Sequence, residues 1–170
     1  NHMVNRLMMS TADVIFNKNG LPYAVRKQGA GLANLIAATE TTAYIRTYNK
    51  DGSIMDKPKL ELGDDTKKTG VYTLNFTIVN FGDTSLTYDL SAIVMTEGVS
   101  DVKTHQGATT VTEEGYILEG ASVSFTVENG TKKGDSVTVE AGKEANITVT
   151  IKLTEENKKY LDESFANGMY

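Results

Sequence analysis

Hydrophobic and polar residues alternate along the centre of this chain, from about residue 59 to residue 153. The run 71–79 has an apolar residue at every even position, and the runs 86–94, 122–127 and 146–153 repeat this period of two. Successive side chains of a β-strand point to opposite faces, so each run can bury one face and expose the other. Because turn signals such as Asn129-Gly130 separate the runs, the pattern predicts two antiparallel sheets packed face to face, an all-β sandwich.

The first forty residues do not follow this period. Val4, Leu7 and Met8 have helical spacing, and the Ala- and Leu-rich run 32–38 predicts a second short helix. The stretch between them is a loop with several glycines. This mixed N-terminal segment is too short to form a hydrophobic core of its own, so we expect it to pack against another part of the protein.

A helical signal also follows the last alternating run. Thr154 is a suitable N-cap, and Glu155 and Glu156 would lie in the first turn, where carboxylates favour the helix dipole. The sequence therefore predicts a helix that extends to about Ser164.

Composition limits the function further. The chain has 170 residues, of which 39% are hydrophobic and 23% charged, which is typical of a globular protein. A net charge of -5 with scattered lysines and arginines disfavours a nucleic-acid partner. The absence of cysteine excludes disulfides, thiol nucleophiles and thiolate metal sites. No apolar run is long enough for membrane insertion, and no cofactor motif is present.

Few residues could support chemistry. His105 is the one histidine beyond the first three residues, and it lies in a polar stretch without the glycine-rich context of a Ser-His-Asp site. We interpret Asp64-Asp65 as solvated acids, because two side chains do not supply the six to eight oxygens of a calcium site. The run 49–53 is interpreted as a plain turn. The sequence therefore predicts no catalytic, cofactor-binding or metal-binding residue.

Two stretches carry a resemblance to a known family. Residues 23–34, Tyr-Ala-Val-Arg-Lys-Gln-Gly-Ala-Gly-Leu-Ala-Asn, resemble the end of the catalytic domain in large cell-envelope subtilisin-like serine proteases, the lactocepin and C5a-peptidase group. The stretch 7–12 resembles the end of an earlier helix in that domain. The runs 74–83 and 86–88, together with 137–143 and 147–151, resemble the fibronectin type III-like domain that follows it. Residues 167–170 resemble the beginning of that domain's final strand.

The resemblance implies a division of the chain. Residues 1–3 would be a cloning scar, residues 4–40 the tail of a subtilase catalytic domain, and residues 41–170 a fibronectin III-like or immunoglobulin-like sandwich truncated in its last strand. The implied function is that of a non-catalytic accessory domain of a secreted or cell-wall protease. Its partners would be the catalytic and neighbouring domains of the parent chain, and it would help to position protein substrates.

None of the family's triad motifs occurs here: Asp-Gly-Thr, His-Gly-Thr and Gly-Thr-Ser-Met-Ala are all absent. We therefore expect this chain not to hydrolyse peptides. One alternative is an independent extracellular adhesion or carbohydrate-binding module, which should expose a strip of aromatic rings. The other is a small intact enzyme that depends on His105.

Overall fold

The computed structural model of the protein describes residues 2–103 and 109–164. Within these ranges the helices are α1 (His2–Ser10), α2 (Val25–Gln28), α3 (Leu35–Glu40) and α4 (Glu155–Ser164). The strands are β1 (Ala43–Arg46), β2 (Val71–Asn80), β3 (Leu86–Asp89), β4 (Met95–Lys103), β5 (Thr109–Ile117), β6 (Ser122–Glu128), β7 (Thr131–Lys133), β8 (Ser136–Val139) and β9 (Glu144–Lys152). None of the helices in these ranges is long and apolar enough to cross a membrane.

The strands form two facing sheets and a separate ribbon. One sheet has the order β1-β2-β9-β6, the other has the order β3-β8-β7, and β4 pairs with β5 alone. Every pairing is antiparallel. The predicted all-β sandwich is confirmed.

The core lies between the two sheets. Its buried residues come from the two central strands of the larger sheet and from β8: Ile78, Val137, Val139, Ala145, Ile147 and Val149. Alternate residues of β6, including Val123 and Phe125, pack against this cluster from the edge. Full burial of a valine, isoleucine or phenylalanine side chain stabilises the fold by about 1.5–3 kcal/mol. The period of two thus gives β2, β6, β8 and β9 one apolar face each, and these faces meet in the core.

The prediction of a strand over 86–94 is wrong beyond Asp89. The partner strand β8 begins at Ser136, which lies opposite Asp89. The backbone amide of Leu90 still donates to the Asp135 carbonyl at 2.7 Å, but Gly134 then turns the chain with φ +61°. The β7–β8 hairpin therefore ends where the sequence pattern would need a further pairing partner.

Asn80 fastens the end of β2 to the opposite sheet. Its side-chain amide donates to the carbonyls of Thr84, Val139 and Glu140 at 2.8–3.1 Å, and its Oδ1 accepts from the amide of Gly82. The residue is 1% exposed. A buried amide with these partners replaces the hydrogen bonds that it loses to water.

The predicted start of the C-terminal helix is confirmed. The amide of Asn157 donates to Thr154 Oγ1, and the amide of Thr154 donates to Asn157 Oδ1, both at 3.1 Å. This reciprocal cap satisfies two donors that the first turn of a helix leaves without partners. The described part of the helix extends to Ser164. Residues 165–170, with the predicted start of a final strand at 167–170, lie outside the described residues.

The N-terminal segment packs beside β1. The amide of Ile45 donates to Ser10 Oγ at 2.8 Å, and Arg6 Nε donates to the carbonyl of Met55 at 3.1 Å. The predicted helix over 32–38 instead begins at Leu35, because Leu32 pairs in extended conformation with Asp13.

Candidate functional site

Large apolar side chains are exposed throughout residues 14–36. The set, which we call the N-terminal apolar residues, comprises Val14, Ile15, Phe16, Val25, Leu32, Leu35 and Ile36. Leu35 and Ile36 on α3 are 68% and 69% exposed, and Val25 on α2 is 68% exposed. Isolated exposed apolar residues are ordinary, but seven in so short a stretch are typical of an interaction surface.

Backbone pairing and one glutamine hold this part of the chain in place. Asp13 and Leu32 exchange both backbone hydrogen bonds, at 2.8 and 2.9 Å. Gln28 Oε1 accepts from the amide of Ile15 at 2.8 Å, while its Nε2 donates to the carbonyl of Tyr23. The segment is therefore ordered by polar contacts rather than by a core of its own.

Two further residues of the 23–34 motif have clear local roles. Gly31 has φ +116°, and a Cβ atom at this position would lie 2.1 Å from the Asp13 carbonyl oxygen. Only glycine fits such a backbone approach. Asn34 caps α3 by accepting from the amide of Ala37 at 3.0 Å, and it donates to Asp13 Oδ2 at 3.1 Å.

The segment also touches the β4–β5 ribbon. Arg26 Nη1 lies 3.4 Å from Glu97 Oε2, and Lys27 Nζ donates to the carbonyl of Thr112. Ala24, directly before these two cations, is 4% exposed. The polar groups of α2 thus serve as attachments to the ribbon, while the neighbouring Val25 remains open to solvent.

Among the described residues considered for chemistry, Asp64 and Asp65 lie in the loop before β2. His105 lies outside the described residues. Asp64 is exposed, and Asp65 organises its own loop by accepting from the Thr69 hydroxyl at 2.9 Å and the Gly70 amide at 2.8 Å. Partial desolvation acts in the opposite direction, but the hydrogen bonds from Thr69 and Gly70 hold the pKa of the Asp65 carboxyl below its ordinary value.

The run 49–53 forms the turn that the sequence predicts. The amide of Asn49 donates to the carbonyl of Ser53 at 2.8 Å, and Asp51 Oδ1 accepts from the amide of Ser53 at 2.9 Å. In residues 2–103 and 109–164, no three His, Asp or Glu side chains converge in an arrangement that could hold a metal ion.

The outer face of the larger sheet carries short polar side chains at its centre. Asn75 Oδ1 accepts from Thr148 Oγ1 at 2.8 Å, and Asn146 Oδ1 accepts from Thr77 Oγ1 at 2.9 Å across the β2–β9 pair. Asn, Ser and Thr thus occupy the middle of this face. Within the described residues, the outer positions of β2, β9 and β6 carry none of the aromatic rings that a flat sugar-binding face would use.

Aromatic rings do occur beside the edge strand β1, but they do not form one plane. Tyr44 and Phe81 are tilted by 41° with ring centroids 6.2 Å apart. Tyr48 instead contacts the guanidinium of Arg46, 5.5 Å from the ring centroid, and Arg46 pairs with Glu144. The rings of Tyr44 and Phe81 thus form one pair, while the ring of Tyr48 contacts Arg46 instead.

The fold and the exposed segment together define a β-sandwich with an attached apolar surface. Residues 60–169 match the family described as Fn3-like domain, and the chain belongs to that family. Its sandwich fold and the fibronectin III-like part of the resemblance are therefore established. The division at residue 40 stays a prediction.

Other comparisons add little. No curated protein matches the chain. A solved structure of biomass-sensing modules from Rsgi-like proteins of Clostridium thermocellum, described as resembling a family 3 carbohydrate-binding module of the cellulosome, is 15% identical. The match covers 69% of this chain and 74% of that one, with a TM-score of 0.23. So low a TM-score carries no argument about this chain.

Sequence reasoning missed the ribbon and its contacts with the N-terminal segment. The ribbon strands Met95–Lys103 and Thr109–Ile117 alternate less regularly than the sandwich strands, and their register shifts between Glu97 and Val99. The available signal was their content of Val and Thr around Gly107, which favours a hairpin.

Proposed function

We propose that the protein is the non-catalytic accessory domain of a secreted or cell-wall subtilisin-like serine endopeptidase. In this proposal the sandwich supports the protease, and the N-terminal apolar residues dock against the catalytic domain of the same polypeptide. A second role is to guide protein substrates toward that domain. Membership of the Fn3-like family supports the accessory, non-catalytic part of this proposal, since Fn3-like domains are typically accessory and non-catalytic.

The observation that carries the proposal is the exposure of Leu35 and Ile36 together with Val25. Each would contribute about 1.5–3 kcal/mol on full burial. Docking through this set would therefore stabilise an interdomain contact substantially. The motif resemblance of residues 23–34 supports a subtilase domain as the partner.

The first test is to determine the coding sequence of the parent polypeptide and assay the present chain alone. We expect a triad-bearing subtilase domain in the same polypeptide and no hydrolysis of casein by this chain. A parent polypeptide without such a domain would contradict the proposal, and so would casein hydrolysis that survives removal of contaminating proteases.

The second test examines docking in the full-length parent. Leu35→Asp combined with Ile36→Asp should lower the free energy of unfolding of the catalytic domain by about 2–4 kcal/mol, because two docked apolar side chains become charged. Leu60→Asp combined with Leu62→Asp is the matched control, since both leucines are exposed but lie outside the segment. Equal effects of the two pairs in calorimetry would count against docking.

A further inference from the structure

A concave site lies between the end of β5, the first half of α4 and the loop around Leu21. Its volume is about 420 Å³ and it is open to solvent on one side. The walls include Tyr116, Tyr160, Glu119 and Glu156. This volume lies in the range of pockets that bind small groups in proteins, roughly 300–1,000 Å³.

The two tyrosines form a fixed aromatic wall. Their rings stack with centroids 3.9 Å apart and planes 8° from parallel. Desolvation raises the pKa of Tyr160 above its ordinary value. Buried Asn157 braces the same wall, because its Nδ2 donates to the carbonyl of Glu119 at 3.0 Å and so joins α4 to the end of β5.

The charged side chains that line the pocket, within the described residues, are acidic. Among the described residues, Glu119 and Glu156 line it, and no lysine or arginine does. In the part of the chain that the structure describes, neither carboxylate forms an ion pair. The nearby cations of α4 are directed to other acids, Lys158 to Glu155 and Lys159 to Glu163.

We propose that this pocket binds an arginine or lysine side chain of a basic segment in a partner polypeptide. A cation is attracted both by the faces of aromatic rings and by carboxylates that have no ion-pair partner. Leu21 offers apolar surface for the alkyl stem of such a side chain. The open side lets a peptide backbone continue past the pocket, and the net charge of -5 favours approach of a basic segment. The proposal does not rest on a protease parent, since it concerns residues of this chain alone.

The test is a titration of the isotopically labelled chain with the peptide Gly-Ser-Arg-Ser-Gly, followed by NMR. We expect saturable shifts of the backbone amides of Tyr116, Glu119 and Asn157, which weaken as salt is added. The peptide with Gln in place of Arg should give no saturable shift at the same concentration. Saturable shifts of equal size with both peptides, or shifts confined to other surfaces, would overturn the proposal.

Paired variants distinguish binding in the pocket from a general effect of the net charge of the protein. Glu119→Gln with Glu156→Gln should weaken binding of the Arg peptide about tenfold, because two attractive charges are lost. Glu128→Gln with Glu140→Gln makes the same change in net charge at exposed positions elsewhere and should leave affinity unchanged. Tyr116→Leu, with folding checked by circular dichroism, should also reduce affinity. Equal weakening by both glutamate pairs would reject the pocket as the binding site.

Discussion

The sandwich core and the N-terminal segment use apolar residues in opposite ways. Val137, Val139 and Ala145 have no exposed surface, whereas Leu35 and Ile36 keep more than two thirds of theirs. Both regions are ordered, but different forces order them. In the sandwich, sheet faces bury each other, while in the segment hydrogen bonds fix a backbone whose apolar side chains remain in water.

This difference teaches that order and burial are separable within one chain. Regions with few buried apolar contacts open at lower free energy than the core to which they are attached. The segment should therefore respond to substitutions locally, whereas the sandwich should respond as a unit. Three substitutions, each with a matched second variant, sharpen this contrast.

The largest effect is expected from Ile147→Ala in β9. The side chain is 1% exposed and lies in the core cluster, so its removal leaves a cavity and should lower the free energy of unfolding by about 3–4 kcal/mol. Leu35→Ala removes a side chain that is mostly in water and should change the free energy of unfolding by less than about 0.5 kcal/mol. Urea denaturation measures both. Similar losses for the two variants would contradict the contrast between the regions.

An intermediate effect is expected from Asn80→Ala. The substitution leaves three carbonyls and one backbone amide without their side-chain partner, in a region that water barely reaches, and should cost about 2 kcal/mol. Gln28→Ala is the counterpart, because Gln28 also bridges two backbone groups but lies in the partly solvated segment. Its global cost should be below about 1 kcal/mol. A larger cost for Gln28→Ala than for Asn80→Ala in the same denaturation assay would refute this ranking.

The smallest global effect, with a large local one, is expected from Gly31→Ala. The new Cβ would collide with the Asp13 carbonyl and should separate residues 13 and 32 without unfolding the sandwich. Hydrogen exchange should become faster by at least about tenfold at the amides of Asp13 and Leu32, while exchange in β9 stays unchanged. Gly20→Ala is the control, since φ is also positive there but nothing lies within 4 Å of the new atom. Unchanged exchange at Asp13 in the Gly31 variant would show that the close approach is not needed.

Each strand or helix could be predicted from the sequence only where its own residues carry the signal that determines it. Strands β2, β6 and β9 were predictable because one face of each meets the opposite sheet, which imposes the period of two. The segment after Asp89 has the same alternation but no pairing partner, and the position of the β7–β8 turn is not visible in residues 90–94. Thr154 was recognisable as a cap because its partner Asn157 is only three residues away.

The sites were less predictable than the fold. Tyr116 and Tyr160 are distant in sequence, and nothing in either local pattern indicates that their rings stack. The N-terminal segment was recognised as unable to form its own core. The identity of its exposed residues depends on the Asp13–Leu32 pairing and on the start of α3 at Leu35, which together decide which side chains turn toward solvent.

The position of β9 has a mechanical consequence. This strand leads directly into α4 and has hydrogen-bonded neighbours on both sides, β2 over all nine of its residues and β6 over seven. A pulling force that enters through α4 and acts along the strand therefore loads two ladders in shear at once. The bonds of both ladders must break together, so the sandwich resists extension at this end far better than the two-stranded ribbon could.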